Sequence, residues 1–207
     1  MSKVWFTADT HFGHANIIRY CNRPFFNSDE ERLASEDPRG NWRLSKETIQ
    51  RHDQGILEAI NSRVQQDDIL WILGDFCWGK LEEASHFRNR IVCRDVRLVW
   101  GNHDHRSISD VFQRTIEQGM VKVGGQKIWL NHYPMRYWDK SFHGSWHLYG
   151  HVHNGLYEED MKESWRLAKD VGVDACGYLP ICVDQLAEYM RPREALFEER
   201  KLAGLVH

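Results

Sequence analysis

Five short apolar runs, each broken off at a polar cluster, limit what this chain can fold into. Val4-Trp5-Phe6-Thr7-Ala8 stops at Asp9, and Ile69-Leu70-Trp71-Ile72-Leu73 stops at Gly74-Asp75. Val96-Arg97-Leu98-Val99-Trp100 stops at Gly101-Asn102-His103-Asp104. Lys127-Ile128-Trp129-Leu130 stops at Asn131-His132, and Trp146-His147-Leu148-Tyr149 stops at Gly150-His151. Runs this short, rich in β-branched and aromatic residues, are buried strands, because a helix needs more length. Segments 170–173 and 180–183 read as two further strands.

Helical patterning fills several of the gaps. Ser45 is placed to cap a helix reaching about Val64, with Ile49, Ile56, Leu57 and Ile60 near the 3.6-residue spacing. Residues 81–90 and 107–118 read as shorter helices, and 191–207 as a C-terminal helical extension. The 23–40 stretch, with Pro24, Asn27-Ser28-Asp29, Asp37-Pro38 and Gly40, reads as an irregular insertion. Strands alternating with helices, followed by closely spaced strands, predict an α/β layer structure with mixed pairing. A chain of 207 residues fits a single domain, expected over 1–190.

Charge and cysteine usage narrow the partners. Lysine plus arginine is 27 against 30 aspartate plus glutamate, whereas a dedicated nucleic-acid scaffold needs a basic excess. No run approaches the roughly 18 apolar residues of a membrane helix, so no membrane partner is expected. The five cysteines show no C-x-x-C spacing and the N-terminus carries no apolar leader. Reduced thiols and a cytoplasmic location are therefore expected. Oligomeric state is left open by the sequence.

In an open α/β sheet, ligands bind beyond the carboxyl ends of the strands. Five such ends pool Asp9, His11, Asp75, Asn102, His103, His132, His151 and His153. Carboxylate, amide oxygen and imidazole together suit divalent ions such as manganese, iron or zinc. Residues i and i+2 of a strand face one side, so Asp9 with His11, and His151 with His153, can chelate together. Glycine before Asp75, Asn102 and His151 lets the chain turn at each exit. Seven ligands exceed one tetrahedral ion and fit two ions sharing a carboxylate.

The series Asp9-x-His11, Gly74-Asp75, Gly101-Asn102-His103-Asp104, His132 and Gly150-His151-x-His153 resembles the calcineurin-like metallophosphoesterase family. Asp9-Thr10-His11-Phe12-Gly13-His14 and His132-Tyr133-Pro134-Met135-Arg136 are similar to its small single-domain bacterial and phage branch. The resemblance implies a four-layer αββα sandwich with two mixed β-sheets. It implies one ion on Asp9, His11 and His153, another on Asn102, His132 and His151, and Asp75 bridging both. The ions would be manganese, iron, zinc or nickel, and a hydroxide between them would attack phosphorus in line. His103 would face the leaving oxygen as general acid or hydrogen-bond donor. Many relatives carry an aspartate three residues after the bridging one to orient that histidine. Here the position is Trp78, which leaves Asp104 and His14 as candidate partners of His103.

His14, Arg106 and Arg136 follow ligand motifs closely and are candidate substrate contacts, the arginines through bidentate donation to phosphate. His105, His143 and His147 read as peripheral, and Cys77 as a small buried hydrophobe. Trp5, Trp71, Trp100 and Trp129 lie in strands and read as core, while Trp78, Trp138 and Trp146 are candidates to wall a cleft and stack on a base. The expected activity is hydrolysis of a small-molecule phosphomonoester or phosphodiester, nucleotide-like in character. A nuclease and a catalytically silent, metal-stabilised module are the alternatives.

Overall fold

The computed structural model describes residues 2–37, 40 and 42–206. Its first sheet is built from β1 (Val4–Thr7), β2 (Ile69–Leu73), β3 (Asp95–Val99), β4 (Arg114–Ile116) and β9 (Ile181–Cys182). The order is β4-β3-β2-β1-β9, parallel throughout except for β9, which runs antiparallel to β1. The second sheet has the order β5-β6-β7-β8, with β5 (Gln118–Val123), β6 (Gln126–Asn131), β7 (Trp146–Tyr149) and β8 (Ala168–Asp170). Only β5 and β6 pair antiparallel, through the Gly124-Gly125 turn, whose φ values of 58° and 90° suit a two-residue hairpin. Both sheets are therefore mixed, as expected.

Strand alternation explains why the runs are mostly apolar. Trp5, Leu70, Ile72, Val96 and Leu98 pack on one side of the first sheet with Ile56, Leu57 and Ile60 of α3 (Lys46–Arg63) and Ala84 and Phe87 of α4 (Leu81–Arg88). Phe6, Trp71, Leu73 and Val99 point the other way and meet Ile128, Leu130 and Leu148 of the second sheet. A strand covered on both faces has no solvent side to make polar. Each such fully buried aliphatic contributes about 1.5–3 kcal/mol. Two later helices pack against the second sheet. The Tyr149 hydroxyl donates to Asp160 of α5 (Tyr157–Lys162), and the Trp146 indole N–H donates to Glu194 of α6 (Val183–Leu202).

Four local expectations change. Within 23–40 lies a nine-residue helix, α2 (Ser28–Glu36), preceded by α1 (Ala15–Tyr20). Asn27 and Glu30 form a reciprocal capping box at 2.9 and 3.0 Å, which makes a helix start out of residues that also favour turns. Pro38 and Arg39 of that segment lie outside the described residues. Segment 107–118 is a single 3-10 stretch (Arg106–Val111) followed by β4, because the edge of β3 offers Arg114–Ile116 a parallel ladder. The strand expected at 170–173 is Ala168–Asp170, and the terminal helix begins at Val183, well before 191. His207 lies outside the described residues.

The sheets are stitched together at one end. His132 Nδ1–H donates to Leu73 O at 2.8 Å and Ala8 bridges to Gly172, while Asp9 N–H extends the β1–β2 ladder to Gly74 O at 3.1 Å. The exits of β1, β2, β3, β6 and β7 thereby converge.

Candidate metal centre

At that end the backbone is held in unusual conformations. Asp9, His11, Asp75, His151 and His153 all have left-handed φ, between 48° and 72°. For a residue with a side chain this costs roughly 1–2 kcal/mol. Five strained residues in one cluster mark a site whose geometry outweighs local comfort. The i, i+2 pairs do share a direction, but not through strand alternation: β1 ends at Thr7 and β7 at Tyr149, so both pairs sit on bent exits. The glycines serve closeness as much as turning. A Cβ at Gly101 would lie 2.2 Å from Asp75 Oδ1, and one at Gly150 would lie 2.6 Å from Asp9 Oδ2.

The seven candidate ligands fall into two adjoining groups. Ligand atoms of Asp9, His11 and His153 lie within 4.8 Å of one another, as do those of Asp75, His132 and His151. Asn102 Oδ1 is 3.0 Å from His132 Nε2. Asp75 Oδ2 stands 3.4 Å from His11 Nε2 and 3.5 Å from His132 Nε2, between the groups. Donors held about 2.1 Å from one cation are about 3.0–3.4 Å apart, so these separations match shared coordination. His11 Nε2 is buried without a hydrogen-bond partner, the signature of a ligand atom aimed inward.

Electrostatics agree. Burial raises Asp9 well above the usual carboxylate range, and the Asp170 and Asp75 charges add to it, against the pull of His153 and the His151 N–H. Asp75 is also raised by burial. Burial lowers His11, His132 and His151, which keeps their rings neutral and ready to donate lone pairs. Buried carboxylates beside imidazoles held neutral offer oxygen and nitrogen lone pairs to one space, a donor set that fits divalent cations.

Two carboxylates brace the loops. Asp104 accepts the N–H groups of Asp75, Phe76 and Gly101, each at 2.9 Å. Asp170 accepts those of Gly172 at 2.7 Å and Asn154 at 3.0 Å. Asp104 is therefore committed to backbone and does not orient His103. The His103 N–H donates to Asp75 Oδ1 at 2.9 Å, and its exposed ring lies 5.4 Å from His11, 5.6 Å from Trp78 and 6.1 Å from His14. His14 stacks on Trp78 at 4.2 Å and 12°, and its pKa is lowered to about 4, by burial first and then by neighbouring cations.

Sequence reasoning missed an inner layer. Asp174 Oδ2 is 2.7 Å from His153 Nδ1, and Arg23, fully buried, binds both Asp174 oxygens at 3.0 and 2.7 Å. Arg23 also donates to Asp9 O and Thr10 O and contacts His52 Nε2 at 2.7 Å, while His52 Nδ1 meets Asp53 at 2.8 Å. Burial works against a charged His153, yet hydrogen bonds to Asp174 and Cys21 and the Asp9 charge hold its pKa at about 10. Cys21 joins His153 and Asp174 in a third cluster of possible donors, so a thiol does stand beside the centre.

Other candidates lie elsewhere. Arg106 pairs with Glu117 at 2.7 Å and covers Trp100. Arg136 lines a small cavity with Trp165 and Phe197. Trp138 and Trp146 are buried, with indole N–H groups donating to Ser145 and Glu194, so neither walls the cleft. Trp78 is 52% exposed.

A profile of the calcineurin-like phosphoesterase superfamily domain matches residues 51–168, more than half of the chain. The chain belongs to that superfamily. An uncharacterized protein of Methanocaldococcus jannaschii is 29% identical over 91% of this chain and 91% of its own length. The gene 66 protein of Mycobacterium phage L5 is 26% identical over 86% of this chain and 90% of its own. The solved structure of a protein of unknown function from Aquifex aeolicus superposes with a TM-score of 0.65 at 22% identity, covering 91% of this chain and 99% of that one. It shares the fold. Superfamily membership carries metal-dependent phosphoester chemistry as the general activity, and the clustered aspartates and histidines are where such metals would sit. Among the described residues no helix is long and apolar enough to cross a membrane.

Proposed function

We propose that this protein hydrolyses small-molecule phosphoesters, nucleotide-like in character, with two divalent cations. The observation that carries the reading is Asp75 Oδ2, equidistant within 0.1 Å from His11 and His132, each of which belongs to a different ligand group. In this assignment Asp9, His11 and His153 hold one cation, Asn102, His132 and His151 hold the other, and Asp75 serves both. Bound there, the two cations supply an acidified water and neutralise the phosphoryl oxygens as charge develops. The mixed nitrogen and oxygen donors accept manganese, iron, zinc or nickel.

The chain's own residues do the rest. Asp104 and Asp170 fix the loops, so the ligand constellation is ordered before substrate arrives. His103 stands exposed beside the centre with its backbone N–H tied to the shared carboxylate. Its ring is free to donate a proton to the leaving oxygen, a contribution of about 10²–10⁴ in rate.

The test pairs metal content with turnover of p-nitrophenyl phosphate mono- and diesters. Asp75→Asn and His132→Ala lose metal and activity together, whereas His103→Ala keeps its metal and loses activity. A His103→Ala protein working at the parent rate refutes its role. Metal-loaded parent protein inert toward a broad panel of esters refutes hydrolysis and leaves a silent binding module.

A further inference from the structure

Most of the tryptophans in strands are packed away, but Trp78 is offered to solvent at the edge of the centre. One face of its indole lies on His14, nearly parallel at 12° and 4.2 Å. The residue is half exposed, so much of its surface outside the His14 contact is open to solvent. Its backbone is pinned: Trp78 N–H donates to Phe12 O at 2.8 Å, and Phe12 pairs with Cys77 in a parallel bridge. Phe12 is itself buried and stacked on Phe87 at 4.7 Å. A flat apolar surface this well anchored has already lost the freedom that a ligand would otherwise have to remove.

Position selects the ligand. The indole centroid is 5.6 Å from the ring of His103, the residue assigned above to the leaving oxygen. Tyr133 stands against His132 and His151 at 5.0 and 4.6 Å, so it flanks the other ligand group. Arg106, which follows the same motif, is paired with Glu117.

We propose that Trp78 is a stacking shelf for a planar ring carried by the leaving group of the phosphoester, either a nucleobase or an aryl group. The proposal rests on the hydrolase reading for the direction in which the leaving group points. A ring laid on the indole face opposite His14 makes a third layer over indole and His14. It buries apolar surface now exposed and adds base–aromatic stacking, which is tolerant of base identity. Specificity then lies in the presence of a ring and not in its hydrogen-bonding edge.

Calorimetric binding to manganese-loaded protein tests this with two matched pairs: AMP against ribose 5-phosphate, and phenyl phosphate against methyl phosphate. The parent should favour the ring-bearing member by about tenfold or more. Trp78→Ala should abolish that preference, and Trp78→Phe should keep most of it. A preference in both pairs assigns aryl recognition in general, and one confined to AMP assigns a nucleoside. No preference in either pair, or one that survives Trp78→Ala, overturns the shelf. Turnover is read separately with the esters named above. Absent turnover with the ring preference intact sinks the hydrolase reading alone, and turnover without the preference sinks the shelf alone.

Discussion

Replacing Asp174 by asparagine keeps the side-chain shape and removes a charge around which two neighbours are arranged. One is Arg23, whose buried guanidinium holds both carboxylate oxygens at 3.0 and 2.7 Å. Removing one partner of a buried pair costs about 3–5 kcal/mol. Arg23 retains Asp9 O, Thr10 O and His52 as partners, so the lower end, about 3 kcal/mol, is expected. The other neighbour is His153, 2.7 Å away, which loses the anion that fixes its ring and raises its basicity. Loss of such an outer partner weakens metal binding by about 10–100-fold. The signs with pH differ for the two groups. His153, raised to about 10, stabilises the metal-free fold fully below its unfolded value near 6.5, and that contribution is lost as pH climbs through about 10. Asp174 is lowered, so its share is present above the ordinary carboxylate range and disappears as pH falls through its depressed value. Metal must displace the His153 proton, so parent affinity at this position keeps rising with pH up to about 10, while Asp174→Asn levels off earlier. Stepwise calorimetric titration with manganese, alongside denaturant melts of chelated protein, separates the two effects. A variant that is less stable but binds both ions with parent affinities and parent pH dependence would show that Asp174 serves Arg23 alone.

Gly101→Ala places a methyl 2.2 Å from Asp75 Oδ1, so elemental analysis should find fewer than two ions per chain, with stability down by about 1–3 kcal/mol. Chelation should lower the melting temperature by about 5–10 °C if the metal had been present at about a hundred times its dissociation constant, and identical melts would deny a resident metal. His147 is a buried ring outside the ligand set: it lies 3.1 Å from Trp129 O and accepts the Met135 N–H at 3.2 Å, a pattern only the neutral ring satisfies. Burial lowers its pKa to about 4, so the unfolded chain binds its proton first as pH falls from about 6.5 to about 4, withdrawing about 3 kcal/mol. His147→Gln should flatten that part of the stability–pH curve, and an unchanged slope would place the titration elsewhere.

The strands were legible because both sheet faces are covered, which makes β2 read as an unbroken apolar word and β7 as one interrupted only by His147, each with the observed ends. The cap at Ser45 and the stop at Val64 were equally plain, since Ser45 accepts the Thr48 N–H and α3 has a clear apolar stripe. Residues 28–36 misled because asparagine, serine and aspartate serve turns and helix starts alike, although Asn27-x-x-Glu30 was there to be read as a capping box. Strand β4 depends on a neighbour's free edge, which no local pattern encodes. Seven candidate ligands emerged from a single rule about strand exits. The same rule applied to Val171-Gly172-Val173 would have picked out Asp174. Arg23 had no such signal: a guanidinium with no exposure is defined by what surrounds it, and its partners come from positions 9, 10, 52 and 174.

The span from Asp9 to Asp174 has a consequence for biogenesis. A ribosome must have released the chain through position 174 before Asp9 and His11 can meet the carboxylate that steadies His153. In the proposed assignment each cation site is complete only once the exits of both sheets have come together, so loading would follow their docking.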